Sequence, residues 1–312
     1  MRRPRIGFAT PASLVVLSAV VGLLLPACGG GGNSAVSDDG SKLRAEAHDN
    51  LKQAQITDKD FHAGNFSDGT RIDNRWFPLI PGTQYVLAGH ANRGNGLLRH
   101  RVVFTVTDLS KEIDGVRSLV IWDRDYNAGR LVEGELAFHA QDDAGNVWNM
   151  GEYPEEYSGG KFDGAPDTWL AGVAGAKPGI LMRAQPRLGT PTYLQGFAPK
   201  IDFSDAAKVY KVRQRNCVPV NCYSPVLVTE EWNPVERGAH QFKYYALGVG
   251  NIRVGAAGGK EDEELVLEKV ARLGPAALAA VRAEAMKLDR RAYVARRDLY
   301  RHVPPARPLG KG

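Results

Sequence analysis

From residue 85 to residue 270 the chain repeats one local pattern: a short run rich in Val, Ile, Thr, Tyr and Phe, then a turn built on Gly, Asn or Asp. Tyr85–Leu87, Leu97–Thr107, Val116–Asp125, Arg130–Ala140 and Val147–Met150 are the first strand candidates. Tyr193–Phe197, Lys208–Arg213, Val226–Trp232, Gln241–Leu247, Asn251–Val254 and Glu264–Val270 follow. Turn signals stand at Ile113-Asp114-Gly115, Asn127-Ala128-Gly129, Asp142-Asp143-Ala144-Gly145 and Gly255 to Gly259. β-Branched and aromatic side chains fit a pleated, half-buried surface, and Gly, Asn and Asp tolerate the backbone of tight turns. No helical period interrupts the series. The fold class this implies is mainly β, an antiparallel sheet closed as a barrel, half-barrel or sandwich. Tyr153 to Pro191, rich in Gly and Pro, reads as a long loop crossing the sheet, a place where function often sits.

The two ends differ from this β-rich domain, bounded at 60–272. Pro275 stands where a helix begins well and Pro304-Pro305 ends one, giving a C-terminal α-helix over 273–303 and a tail over 304–312. Leu278, Val281, Ala285, Leu288, Ala292, Ala295 and Leu299 form one apolar stripe, while Arg282, Lys287, Arg290, Arg291, Arg296 and Arg297 lie mostly off it. Such a helix packs on its own sheet with a solvated basic face, docks a partner, or rests on anionic lipid. Residues 42–59 form a shorter helical segment, with Leu43, Ala47, Leu51 and Ala54 at helical spacing.

The N-terminus carries an address. Met1-Arg2-Arg3-Pro4-Arg5 is basic, and Ser13 to Pro26 is apolar, too short for the ~20 residues of a spanning helix. Residues 1–27 therefore read as a signal peptide. Leu25-Pro26-Ala27-Cys28 resembles the lipobox of bacterial lipoproteins, which implies that Cys28 is lipidated, palmitate included, and becomes the mature N-terminus. Residues 28–41, with Gly29 to Gly32 and then Asn33-Ser34, suit a flexible Gly-rich tether. The expected location is outside the cytoplasm, lipid-anchored to the cell envelope. By the same resemblance, Gly29 favours the outer membrane or periplasmic face in a cell that has one.

Charge is unevenly spread. Residues 29–268 carry 26 Lys and Arg against 32 Asp and Glu, whereas residues 269–312 carry 11 against 3. That asymmetry can steer a basic tail toward anionic surfaces, while nucleic acid is no expected partner outside the cytoplasm. Besides Cys28 the only cysteines are Cys217 and Cys222, an even pair that reads as one disulfide closing a small loop in an oxidising compartment.

Several segments of the body have a familiar look: Asn74-Arg75-Trp76-Phe77-Pro78-Leu79-Ile80-Pro81-Gly82-Thr83, then His139 to Glu152 (HAQDDAGNVWNMGE), Pro178-Gly179-Ile180-Leu181-Met182, Thr229-Glu230-Glu231-Trp232 and Lys243 to Gly250 (KYYALGVG). Together, over roughly residues 60–270, they are similar to a group of uncharacterised secreted and lipid-anchored β-rich bacterial proteins. The resemblance implies location and fold; it brings no activity and no catalytic residue.

Two sets of residues are site candidates. His139, Asp142, Asp143, Asn146 and Glu152 could hold a divalent metal through nitrogen and oxygen donors, or do acid–base work. Asp-Asp-Ala-Gly is equally a hairpin turn whose carboxylates bond their own backbone. Trp76, Trp122, Trp148, Trp169 and Trp232, with Tyr244 and Tyr245, could line a cavity for an apolar molecule or simply pack a core. Gly248-Val249-Gly250 lacks the helix that a nucleotide loop requires and suits the close approach of two β-segments. Glu133 with Glu135, and Glu230-Glu231, fit a solvated sheet face better than an acid site. No Gly-x-Ser-x-Gly, His-Glu-x-x-His or Walker pattern is present. The expectation is a non-enzymatic, membrane-anchored domain that binds an apolar small molecule or an envelope protein, with no cofactor. Its rivals are a metal-dependent or hydrolytic enzyme at the His139–Glu152 hairpin, and an envelope-assembly protein docking through the C-terminal helix.

Overall fold

A computed structural model describes residues 61–92, 96–233, 240–256 and 262–310. Cys28, the signal peptide, the tether and the 42–59 helical segment lie outside them, as does part of the Gly255–Gly259 turn. The first hairpins follow the turn signals: β1 (Thr83–Asn92), β2 (Leu97–Ile113), β3 (Val116–Asn127), β4 (Arg130–Gln141) and β5 (Val147–Ser158). Asp114 and Gly115 turn β2 into β3 with φ of 49° and 75°, the left-handed backbone that glycine adopts freely. Short strands β6 (Lys161–Gly164), β7 (Trp169–Leu170), β8 (Lys177–Met182), β9 (Tyr193–Leu194) and β10 (Gly196–Phe197) come next. The second half holds β11 (Ala206–Val218), β12 (Asn221–Trp232), β13 (His240–Ala246), β14 (Gly250–Ala256) and β15 (Asp262–Arg272), then helix α1 (Pro275–Ala295) and β16 (Arg307–Pro308).

These strands make one antiparallel sheet in the order β10-β8-β5-β4-β3-β2-β1-β15-β14-β13-β12-β11-β9, with β6 and β7 also on β5 and β16 on β2. The sheet does not close, so of the shapes expected the full barrel falls away and a half-barrel or sandwich remains. Its two ends are consecutive in the chain: β9 pairs with β11, β10 pairs with β8, and only Gln195 separates them. A second correction concerns Tyr153–Pro191. Much of that supposed loop is strand, because β5 runs on to Ser158 and β6, β7 and β8 all pair with it. Gly179 shows why glycine is needed there. A Cβ on it would lie 2.3 Å from the Gln195 carbonyl carbon, so the β9–β10 segment could not cross.

Strands β2 to β5 are buried on both faces, and neighbouring residues serve different cores. Leu119, Ile121 and Ala137 join Val102, Phe104, Leu87, Tyr245 and Leu265 on the inner side. Val120, Leu136 and Phe138 face the other way, toward Leu109, Met150 and the C-terminal helix. That helix starts at Pro275, after Gly274 in extended conformation, and yields at Arg296, whose N–H still bonds the Ala292 carbonyl at 2.8 Å. Ala285, Leu288 and Ala292 are buried against the sheet, and Leu299 and Tyr300 continue the contact beyond the helix. Of the expected stripe, Ala285, Leu288, Ala292 and Leu299 are buried, Leu278 and Val281 are half-buried, and Ala295 is exposed.

The helix also meets the acidic body charge for charge. Arg282 pairs with Asp108, and Arg291 Nη1 lies 2.7 Å from Glu155 Oε2. Arg296 Nη1 donates to the carbonyls of Ala165 and Pro166 at 2.6 and 2.7 Å. Lys111 of β2, fully buried, donates to Asp289 Oδ1 at 2.8 Å. Three of the tail's cations, Arg282, Arg291 and Arg296, are therefore matched by carboxylates or carbonyls of the body.

Candidate functional site

Strand direction assigns each turn to one of two rims. The β2–β3 turn, the β4–β5 turn (Asp142–Gly145), the β13–β14 turn (Leu247–Val249), the start of β1 and the end of β15 share one rim. The Asn74–Pro81 segment covers it. Asn74 is buried and uses its whole amide: Nδ2 donates to the carbonyls of Gly145 (2.8 Å) and Arg183 (3.2 Å). Its Oδ1 accepts from the N–H groups of Trp76 (2.9 Å) and Phe77 (3.1 Å). Gly248, with φ of 72°, brings its N–H within 2.8 Å of the Arg75 carbonyl. The Gly-Val-Gly run is thus a hairpin turn laid against this segment. Asn74→Ala should cost about 1–3 kcal/mol in urea unfolding, because buried partners lose their bonds; a change within experimental scatter would show the knot to be dispensable.

Under the segment lies a narrow cleft with a cavity volume of about 30 Å³, open at its mouth. Phe77, Leu79, Tyr85, Leu87, Phe104 and Tyr245 make its apolar wall, Val249 and Gly250 its edge, and Lys243 and Asn251 its polar part. Lys243 is buried and lies 2.8 Å from Glu231 Oε2. Glu231 Oε1 accepts from Thr229 Oγ1 at 2.8 Å and from Tyr245 OH at 3.4 Å. Next to this pair, Glu152 accepts from Asn149 Nδ2 (2.7 Å) and Trp169 Nε1 (3.1 Å). Burial pushes the Glu152 carboxyl up to about 7, against the pull of those hydrogen bonds and the Lys243 charge. Burial likewise drives the Tyr245 hydroxyl upward, and the Glu231 charge adds to it. Chemically this is an apolar wall with one compensated ammonium, suited to a greasy body that carries a polar group.

The expected metal or acid–base residues are not gathered. His139 sits in the inner core, its ring centroid 6.3 Å from that of Phe77, and neither ring nitrogen has a hydrogen-bond partner. Burial lowers its pKa to about 3, so the imidazole is neutral. Asp142 caps its own turn, accepting from Asn146 N (2.8 Å), Asn146 Nδ2 (2.9 Å) and Trp148 Nε1 (2.8 Å). Asp143 instead holds Ser67 through its N–H (3.0 Å) and hydroxyl (2.9 Å). Among the described residues no three His, Cys, Asp or Glu side chains come together as metal ligands.

Of the expected aromatic set, Tyr245 alone lines the pocket. Trp76 packs half-buried against the inner core. Trp148 meets Phe61 and Phe66 in the second core, with Trp122 at its margin. Trp169 stacks on Phe203 at 5.2 Å, Trp232 stacks on His240 at 5.6 Å, and Tyr244 lies under the Arg253 guanidinium. The sequence reading missed Phe77, Tyr85, Leu87, Phe104 and Lys243. One signal was there: Lys243 and Tyr245 stand two apart in a strand, hence on one face. Cys217 and Cys222 form a disulfide across the β11–β12 hairpin. No helix among the described residues is long and apolar enough to cross a membrane.

No protein-family model and no curated protein matches the chain. Two solved structures are similar to it over 64% of its length. One is a Bacteroides fragilis protein assigned as exported, with a YmcC-like fold (14% identity, TM-score 0.34, 99% of that chain). The other is a Parabacteroides distasonis protein assigned as a lipoprotein (13% identity, TM-score 0.30, 100% of that chain). With overlap this loose, no property of the present chain rests on either.

Proposed function

We propose that this chain is a membrane-tethered envelope lipoprotein whose β-domain holds a small apolar or amphipathic molecule in the rim pocket. The observation that carries the reading is the pocket's apolar wall with Lys243 and its Glu231 partner at one side. Its setting is supported by the basic and apolar leader, the lipobox-like Leu25-Pro26-Ala27-Cys28 and the Cys217–Cys222 disulfide, which suits an oxidising compartment. The hydrolytic alternative finds little support, since His139 lacks an orienting partner. Docking through the C-terminal helix has lost the middle of its apolar stripe to the sheet.

The test is binding of N-phenyl-1-naphthylamine, followed by its fluorescence. Val249→Trp places a bulky ring at the half-buried edge of the pocket. Binding should weaken at least about tenfold, a cost of about 1.4 kcal/mol. Undiminished binding by a folded variant would place the probe elsewhere and remove the pocket's claim.

A further inference from the structure

We infer that the β11–β12 hairpin is a basic arm that contacts an anionic lipid surface on the side of the molecule where the tether enters. Three observations converge on it.

The arm extends the edge of the sheet, with Val209 and Val218 buried against the inner core and its outer side open to solvent. β12 pairs with β13 only from Val226 onward, and β11 pairs with β9 only at Ala206 and Ala207. Between Lys208 and Pro225 the two strands have only each other, with Cys217 opposite Cys222 stapling the tip. At about 3.3 Å per residue the arm reaches roughly 20 Å past Val226.

Its charge has one sign. Residues 206–229 contain Lys208, Lys211, Arg213 and Arg215 and no Asp or Glu, within a body that is acidic overall. Lys208 pairs with Glu230 at 2.9 Å. Lys211, Arg213 and Arg215 are exposed while Val212, Gln214 and Asn216 are half-buried, so all three cations are open to solvent. None of the three has a carboxylate partner among the described residues. Val220 at the tip is an exposed apolar group of the kind that settles into a lipid interface, while Tyr210 beside Lys211 stacks on Phe242.

Its direction matches the point where the chain arrives from Cys28. The tip, Val218 to Asn221, lies toward the rim that bears the β4–β5 and β13–β14 turns. Phe61 packs on Trp148 at that rim, Asn65 accepts from the Asp143 N–H, and Ala63 touches the β2–β3 turn. Residues 29–60 therefore join the domain on the side to which the arm points, and the pocket of Phe77, Tyr85 and Val249 lies at the same rim. A lipid surface at this end would meet the tip, with the cations along one side of the arm and the pocket edge at the same rim. The inference rests on the tethered reading for its setting but not for its measurement.

Cations on an exposed hairpin also keep its open edges from pairing with other chains. Reversing their sign keeps that protection and removes any attraction to anionic lipid, so reversal separates the two roles. Residues 29–312 contain every element described above and lack Cys28, so no acyl chain contributes. Cosedimentation with phosphatidylglycerol-rich vesicles should exceed that with pure phosphatidylcholine and should fade at high salt. Lys211→Glu/Arg213→Glu/Arg215→Glu should weaken it about a hundredfold, at about fivefold for each basic side chain near an anionic surface. Unchanged thermal unfolding of the variant confirms that its fold survives. Equal binding to both lipids, no binding to either, or a folded variant that binds like its parent would each overturn the inference. Acylation of Cys28 is read separately from the mass of the cell-derived protein, so losing the tether and losing the arm give different results.

Discussion

Replacing Lys111 by Met should destabilise the protein by about 3–5 kcal/mol, the usual cost of leaving a buried charge without its partner. Lys111 reaches from β2 into the second core. Besides Asp289 it donates to Tyr293 OH (3.1 Å) and the Pro304 carbonyl (2.8 Å), and it lies near the Tyr293 and Tyr300 rings, 5.0 and 4.7 Å from their centroids. Asp289 Oδ2 in turn accepts from the Ala306 N–H at 3.0 Å. Burial holds the Lys111 ammonium below the usual lysine range, and Asp289 pulls the other way. One cation thus fastens sheet, helix and C-terminal segment. Lys111→Met/Asp289→Leu removes both charges and should recover most of the loss, because a buried pair is often no better than apolar side chains of similar size. Urea unfolding of parent, single and double variants gives the coupling. A single variant within about 1 kcal/mol of the parent would mean that Asp289 finds water or another donor, and that α1 is not locked as described.

His139→Leu should make the protein more stable, and increasingly so as the medium becomes acidic. At neutral pH the gain comes from removing a buried imidazole whose nitrogens bond nothing, an expense of about 1–3 kcal/mol. The pH dependence follows from linkage. Burial puts the folded-state pKa at about 3 against 6.5 for the free side chain, so below pH 6.5 the unfolded chain takes a proton that the folded one refuses. Stability tied to His139 is complete above pH 6.5 and drains away as pH falls toward 3, by about 1.4 kcal/mol per unit. Glu152 works in the opposite sense. Its folded pKa of about 7 against 4.5 means that the native state gains as pH falls from 7 to 4.5. In the parent the two largely offset each other over that range, and below it only the histidine loss continues. The variant keeps the glutamate's gain alone. Urea midpoints at pH 7 and pH 5 decide it: parallel changes in parent and variant would show that the imidazole titrates normally and is not sealed in.

The sheet was legible because its turns are spelled locally. Asp114-Gly115 and Ala128-Gly129 need only their own residues to reverse the chain, and the strands between follow. What stayed hidden depends on partners far away in sequence. The second half of β5, Tyr153–Ser158, lacks alternation because Tyr153, Pro154 and Glu155 are buried in succession. β8 looked like loop because Pro178 and Gly179 break strands elsewhere, while here Gly179 makes room for another chain segment. The pocket could not be read at all. Its walls come from Phe77, Tyr85, Phe104, Leu181 and Tyr245 on five separate stretches, and tryptophan count was a poor guide to which aromatics would meet. Lys243 and Glu231 sit diagonally on neighbouring strands, two residues from direct opposition, so their pairing needs the β12–β13 alignment. The charged tail misled for a similar reason: net charge along the chain does not say that Asp108 and Glu155 are waiting for it.

The β1–β15 ladder has a consequence for how the molecule comes to exist. Thr83 lies opposite Arg272, so the inner core is sealed by strands from nearly opposite ends of the domain. A chain delivered from its N-terminus, whether by a ribosome or through a narrow pore, exposes β1 for the whole time that some 180 residues follow. Until then Tyr85 and Leu87 lack half their neighbours and the hairpins already made have nothing to shut against. The inner core is therefore completed only when β15 arrives, late in delivery.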